Sequence, residues 1–182
     1  MKTVADNFKK AIEEIFGGYL AEFGFIKTKS EASPIGFSVT YRCDTRYVRF
    51  GGTLHPHDYP FYYYLSLGEG RGEMPESDWN GIALWKIVEH VAPAKQKETE
   101  HIYGIEATIT SDEIRMKIQA NLELCKEYGL SFLKNDLSDF HRLRADQNKV
   151  REPYKLYAPK GAGKFTVSDD KESAELKKKY SK

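Results

Sequence analysis

Two groups of residues in this chain have the types and spacing that chemistry needs. The first is Arg42, Tyr47, Arg49, Tyr62 and Tyr64. Arginine and tyrosine are enriched where one protein buries the surface of another. An aromatic row beside guanidinium groups also stacks the bases of single-stranded nucleic acid. The second group is His55-x-His57-Asp58. Imidazole and carboxylate so close together suit several divalent metals. Two further ligands would have to come from elsewhere, and nothing in the sequence nominates them. A polar turn is the simpler reading, and neither a metal nor a cofactor is expected.

Other motifs fail on spacing. Gly68-Glu69-Gly70-Arg71-Gly72 follows a strand, but a dinucleotide loop needs its third glycine one residue later and a helix opening directly behind it. Gly161-Ala162-Gly163-Lys164-Phe165 has Ala158 where a P-loop needs glycine and Phe165 where it needs serine or threonine. There is no nucleophile elbow and no zinc-protease motif. Glu89-His90, His101 and His141 read as isolated surface residues. Cys43 and Cys125 have no C-x-x-C partner, which favours a reducing compartment over a disulfide framework.

The elements that must position the Arg/Tyr group are legible. Residues 37–43 alternate, Asp44-Thr45 turns, and residues 46–50 alternate again. A two-residue loop pairs Cys43 with Arg46, Tyr41 with Val48 and Val39 with Phe50. Arg42 then faces Tyr47, and Thr40 faces Arg49, on the other side of the sheet. A third strand, residues 61–67, points Phe61, Tyr63, Leu65 and Leu67 inward and leaves Tyr62 and Tyr64 with the Arg/Tyr face. Around this sheet the spacing predicts helices. One spans residues 3–23, capped by Thr3 with Asp6, weakened or kinked at Gly17-Gly18 and stopped by Gly24. A second covers 78–91, capped by Ser77, with apolar residues, Trp85 among them, over more than one stripe, as a well-buried helix has. A third covers 111–128, capped by Thr110 with Glu113, with Ile114, Ile118, Leu122 and Cys125 as its seam. A last helix turns Leu133, Leu137, Phe140 and Leu143 inward. Residues 25–28 read as a short strand before a loop at 30–34. Residues 94–101 read as a loop, and 103–110 as holding a short extra strand.

The 182 residues are expected to form one α+β domain over 1–150, with a basic, partly irregular C-terminal tail over 151–182. Its antiparallel sheet has three to five strands, with the N-terminal helix and the C-terminal helices packed against it. The net charge of +1 argues against a nucleic-acid partner, because the clustered basic footprint is missing. No segment approaches a membrane span, and the charged N-terminus lacks a signal core. A cytoplasmic protein follows, with no membrane association.

Leu20 to Phe25, Leu-Ala-Glu-Phe-Gly-Phe, closes the leading helix with Leu-x-x-x-Gly-Phe before the two-faced hairpin and the strand Pro60-Phe61-Tyr62-Tyr63-Tyr64-Leu65. This order, over about residues 8–145, resembles small bacterial α+β proteins. Some of those look like immunity proteins that neutralise polymorphic toxins. The resemblance implies a binding protein rather than an enzyme, and carries no residue roles. The leading expectation is therefore a non-enzymatic domain that binds a protein partner, with a homo-oligomer as one form such a partner takes. The alternatives are a hydrolase or nuclease-like enzyme whose site assembles only in three dimensions, and single-stranded nucleic-acid binding on the Tyr/Arg face.

Overall fold

The computed structural model describes residues 3–70, 79–106, 108–161 and 164–182, without the side chains of residues 98, 100, 101, 161, 164 and 165. Helix α1 (Val4–Ala21) opens with the Thr3/Asp6 capping box and runs unbroken through Gly17-Gly18. Gly24 then adopts φ +79, which glycine reaches without a Cβ penalty. Strand β1 (Ile26–Ser33) follows, then β2 (Gly36–Cys43), β3 (Arg46–Thr53) and β4 (Phe61–Glu69). The hairpin has the register its alternation demands: Cys43 pairs with Arg46, Tyr41 with Val48, Val39 with Phe50, Arg42 with Tyr47 and Thr40 with Arg49. Asp44 takes the positive φ that a tight two-residue loop requires.

After β4 come β5 (Gly81–Ala83), α2 (Leu84–Val91), α3 (Gln96–Tyr103) and the two-residue β6 (Gly104–Ile105). Then follow α4 (Ser111–Tyr128), the short α5 (Leu130–Leu133), α6 (Ser138–Val150), β7 (Lys155–Gly161), β8 (Lys164–Asp169) and α7 (Lys171–Tyr180). The main sheet has the order β1-β2-β3-β4-β5, with β6 added on β4 as its sixth strand. All the pairings are antiparallel. This is the expected α+β class.

The core lies between one sheet face and the helices. Phe8 stacks on Phe37 at 4.8 Å between ring centroids, and Phe16 meets Phe50 edge-on at 4.6 Å. Phe8, Ile12, Phe16 and Leu20 are fully buried on α1, and Ile114, Ile118, Leu122 and Cys125 are buried on α4, matching the seam predicted for that helix. The second capping box, Thr110 with Glu113, also forms. An ion pair between Arg115 and Glu14 joins the outer edges of the two helices.

Several local readings change. Strand β1 runs through the loop expected at 30–34, because Ser33 pairs with Gly36 across a tight turn. It is an edge strand, so its Lys27, Lys29 and Glu31 face solvent and its apolar alternation is lost. The helix expected over 78–91 begins only at Leu84, because residues 81–83 pair with β4. Its expected cap, Ser77, lies outside the described residues, as do Arg71 and Gly72. The loop expected at 94–101 is mostly α3. The extra strand within 103–110 shrinks to Gly104–Ile105.

The tail is less irregular than its composition predicted. Residues 155–161 and 164–169 pair as a β-ribbon, and 171–180 form a capped helix. The ribbon base is tied down: Asp170 N–H donates to Tyr154 C=O at 2.7 Å, and Tyr154 N–H to Ser173 Oγ at 2.9 Å. Beyond that base, Leu156 is 52% exposed, Tyr157 66% and Val167 57%. Such a ribbon gains almost nothing from the main core. Replacing residues 156–168 by a short Gly/Ser linker is therefore expected to move the thermal midpoint by less than about 2 °C. Melting followed by circular dichroism checks this, and a fall above 5 °C would show that the ribbon is braced by the body.

Candidate functional site

The Arg/Tyr face splits into a closed end and an open end. The closed end is built on Tyr47. Its cross-strand partner on β4 is Gly68, and the ring lies so close over that glycine that an added Cβ would stand 2.7 Å from Tyr47 Cε1. The hydroxyl donates to Asn80 Oδ1 at 2.6 Å, and Tyr47 is only 2% exposed. Arg42 sits 5.4 Å from the centre of the Tyr47 ring and donates to Gly70 C=O at 2.9 Å. Behind Asn80, Trp79 is fully buried, with the Arg151 guanidinium 5.1 Å from its ring. Asn148 on α6 donates to the backbone oxygens of Trp79 at 2.8 Å and Tyr180 at 3.2 Å. The C-terminal elements thus seal this end from behind.

The open end holds Arg49, Tyr62 and Tyr64. Tyr64 pairs with Gly51, where an added Cβ would stand 2.6 Å from Tyr64 Cζ. The Arg49 guanidinium lies 5.9 Å from the Tyr64 ring centre. Tyr62 is 55% exposed. Beside them opens a cleft of about 350 Å³, lined by Tyr62, Tyr64, Trp85, Gln96, Thr99 and Tyr103, with Tyr63 at its back. Trp85 comes from the first turn of α2, and Gln96, Thr99 and Tyr103 from α3.

Polar groups hold the walls in place. Gln96 Nε2 donates to Glu89 Oε1 at 3.0 Å, and Thr99 Oγ1 donates to Gln96 C=O at 2.6 Å. Tyr103 donates to Asn121 Oδ1 at 2.9 Å, Tyr63 to Lys117 C=O at 3.2 Å, and the two rings stand 5.2 Å apart. Burial pushes both phenols well above the ordinary tyrosine pKa. They stay neutral at physiological pH and serve as fixed walls rather than proton carriers. Burial likewise pushes the Cys125 thiol up to about 12, which removes it as a nucleophile.

The His55/His57/Asp58 group forms a 3-10 turn over Pro56–Asp58. His55 Nδ1 accepts from His57 N–H at 3.3 Å, and Asp58 Oδ2 accepts from Thr53 Oγ1 at 2.7 Å. The turn itself uses these groups. Among the described residues, no three His, Cys, Asp or Glu side chains are placed to hold a metal ion.

An enzyme of the kind weighed above needs a buried pocket with a histidine and two carboxylates. Among the described residues, a groove between α2 and α6 brings together Glu89, His90 and Asp146. There His90 and Asp146 are exposed, Asp146 pairs with Lys149 at 2.8 Å, and Glu89 is engaged by Gln96. His141 is exposed but not isolated: its Nε2 lies 2.6 Å from Glu69 Oε2, which Arg144 Nη1 also reaches at 3.0 Å. This trio clamps α6 to the end of β4. The side chain of His101 lies outside the described set.

Pattern reading missed Trp85, Gln96 and Thr99 as cleft residues. A signal existed for Trp85: a helix whose apolar residues exceed one stripe turns part of them away from the core it packs on. For Gln96 and Thr99 none existed.

Fold and site together define an α+β domain with an aromatic cleft beside its sheet. No protein-family model matches the chain, and no curated protein and no solved structure matches it. Among the described residues no helix is long and apolar enough to cross a membrane.

Proposed function

We propose that this chain is a non-enzymatic protein-binding domain whose partner sits on Arg49, Tyr62, Tyr64 and Trp85. The observation that carries the reading is the aromatic cleft, open to solvent at the exposed Tyr62. Clusters of Tyr, Trp and Arg around a pocket are what binding hot spots are made of. The contact surface excludes Tyr47, whose ring and hydroxyl are spent inside the protein. Losing that ring also weakens the base-stacking alternative, which needed a row of open aromatics. The outline resemblance to immunity-type proteins supports the same reading, with a toxin as the partner and the bacterial cytoplasm as the setting.

A photo-crosslinking amino acid at position 62, with position 10 on the outer side of α1 as control, identifies the partner. With the partner purified, the double variant Arg49→Ala/Tyr62→Ala is expected to bind at least 30-fold more weakly, about 2 kcal/mol. Its melting curve should stay close to that of the parent. Unchanged affinity in a folded double variant rejects this surface.

A further inference from the structure

Strands β7 and β8 form a separate two-stranded ribbon, and the aromatic cleft plays no part in what it does. We infer that this ribbon is a dimerisation arm, which packs face to face and antiparallel on the same ribbon of a second copy of this chain.

The register sorts the ribbon into two unlike faces. On one, Leu156 opposes Ser168 and Ala158 opposes Thr166. On the other, Lys155 opposes Asp169, Tyr157 opposes Val167, and Pro159 follows. Tyr157 and Val167 are both exposed, so an apolar cross-strand pair is turned to water. Leu156, on the opposite face, is exposed as well, so neither face is packed on the body. An isolated two-stranded ribbon is marginal in water. A second layer over Tyr157 and Val167, about 10 Å away as in other sheet-on-sheet packings, supplies the burial it lacks.

Charge selects the second copy as that layer. Between residues 156 and 168 the sequence has Lys160 and Lys164 and no acidic residue. The acids stand at the root: Glu152, Asp169, Asp170, which also caps α7, and Glu172. The root's cations are Arg151, Lys155 and Lys171. Arg151 lies 5.1 Å from the Trp79 ring centre, and Lys155 is held by Asp169 at 2.6 Å and Glu152 at 3.3 Å. The ribbon is thus basic at its far end and leans acidic at its root. Lys160 stands three residues beyond Tyr157, and Tyr154, bonded to Asp170, three residues behind it. Each step is roughly 10 Å along the strand. A twofold axis over the Tyr157–Val167 pair therefore lays each basic end on the other copy's acidic root, while a parallel alignment sets lysines against lysines. The contact is isologous and closed. It buries less than the roughly 1,200 Å² of a standard interface, so the dissociation constant is expected at about 100 µM. At the micromolar concentrations of a melting curve the ribbons are apart.

Sedimentation velocity of the full chain at low salt, from about 10 to about 500 µM, tests this. The parent is expected to dimerise reversibly across that range. Tyr157→Ser/Val167→Ser should weaken the dimer about tenfold or more, and replacing residues 156–168 by the Gly/Ser linker should abolish it, with the body still folded by circular dichroism. Lys160→Glu/Lys164→Glu and Glu152→Lys/Glu172→Lys should each weaken it about tenfold when alone. Mixed, these two variants should pair with each other at close to the parent's affinity, because the reversed ends again meet opposite charge. A parent that stays monomeric, a dimer that survives loss of the ribbon, or a mixture that pairs no better than its components overturns the inference. A monomeric parent that retains a labelled DNA duplex overturns it too, and gives the arm to nucleic acid. Capture of a partner at position 62 neither needs nor prevents ribbon pairing, so this inference and the protein-binding reading fail separately.

Discussion

Arg46→Ala is expected to lower the unfolding free energy by about 3–5 kcal/mol, the cost of breaking a buried charged hydrogen-bond cluster. Arg46 opens β3 directly after the Asp44-Thr45 turn, and only 6% of it is exposed. Its Nη1 donates to the carbonyls of Phe132 at 2.8 Å and Leu133 at 2.7 Å, and its Nη2 reaches Cys43 Sγ at 3.4 Å. The guanidinium lies 5.1 Å from the Phe25 ring centre. Those two carbonyls end the short helix α5, where helix geometry leaves oxygens without intrahelical donors. Phe132 C=O also accepts from Asn135 N–H at 3.1 Å, so alanine would strand the Leu133 oxygen, at a cost of about 1–3 kcal/mol, and would also remove the buried guanidinium's packing on Phe25. Arg46→Lys should recover only part of the loss, because an ammonium can replace Nη1 but supplies neither the second nitrogen that reaches Cys43 Sγ nor the planar group beside the Phe25 ring. Urea denaturation of the three proteins measures it. A loss below 1 kcal/mol for alanine would mean that water or a neighbour replaces the guanidinium without strain.

Gly68→Ala should be nearly as damaging, at about 3 kcal/mol, although it adds one methyl group. The methyl would enter the space of the Tyr47 ring. The ring cannot swing aside, because it is buried and its hydroxyl is held by Asn80 at 2.6 Å. Overpacking of this kind costs about 1–3 kcal/mol, and breaking the buried hydrogen bond adds about 1–3 more. A double-mutant cycle isolates the cause: in a Tyr47→Leu background, Gly68→Ala should cost at least 1 kcal/mol less than in the parent. Additive losses would place the damage elsewhere than on the ring. A similar close approach sets Gly51 under Tyr64, so two aromatic–glycine pairs, with the Arg49–Ser66 pair between them, lie on the second sheet face.

The most legible parts were those with local rules behind them. Alternation and a two-residue loop set every pair of the β2–β3 hairpin, and the Thr3/Asp6 and Thr110/Glu113 capping boxes both formed where their spacing put them. The less legible parts were those whose pattern depends on neighbours. The second half of strand β1 reads as a polar loop because it is an edge with charged side chains turned outward. Residues 81–83 join a sheet because β4 offers them an edge, against their apparent place in a helix. The β7–β8 ribbon buries too little to leave an apolar period, so it read as tail.

The candidate site divides the same way. Register alone put Arg42, Tyr47, Arg49, Tyr62 and Tyr64 on one sheet face, because side-chain direction along a strand is a two-residue property of the backbone. The same alternation put Arg46 on the apolar face without showing what would satisfy it there. Whether a side chain on that face meets water or protein depends on elements far away in the chain. Asn80, Asn148 and the C-terminal helices closed the Tyr47 end, while Trp85 and α3 stopped short of covering the Tyr62 end and left a cleft. Local chemistry determines which way residues point; only the packing of distant segments, driven by burial of their own apolar faces, determines which of them remain open to a partner.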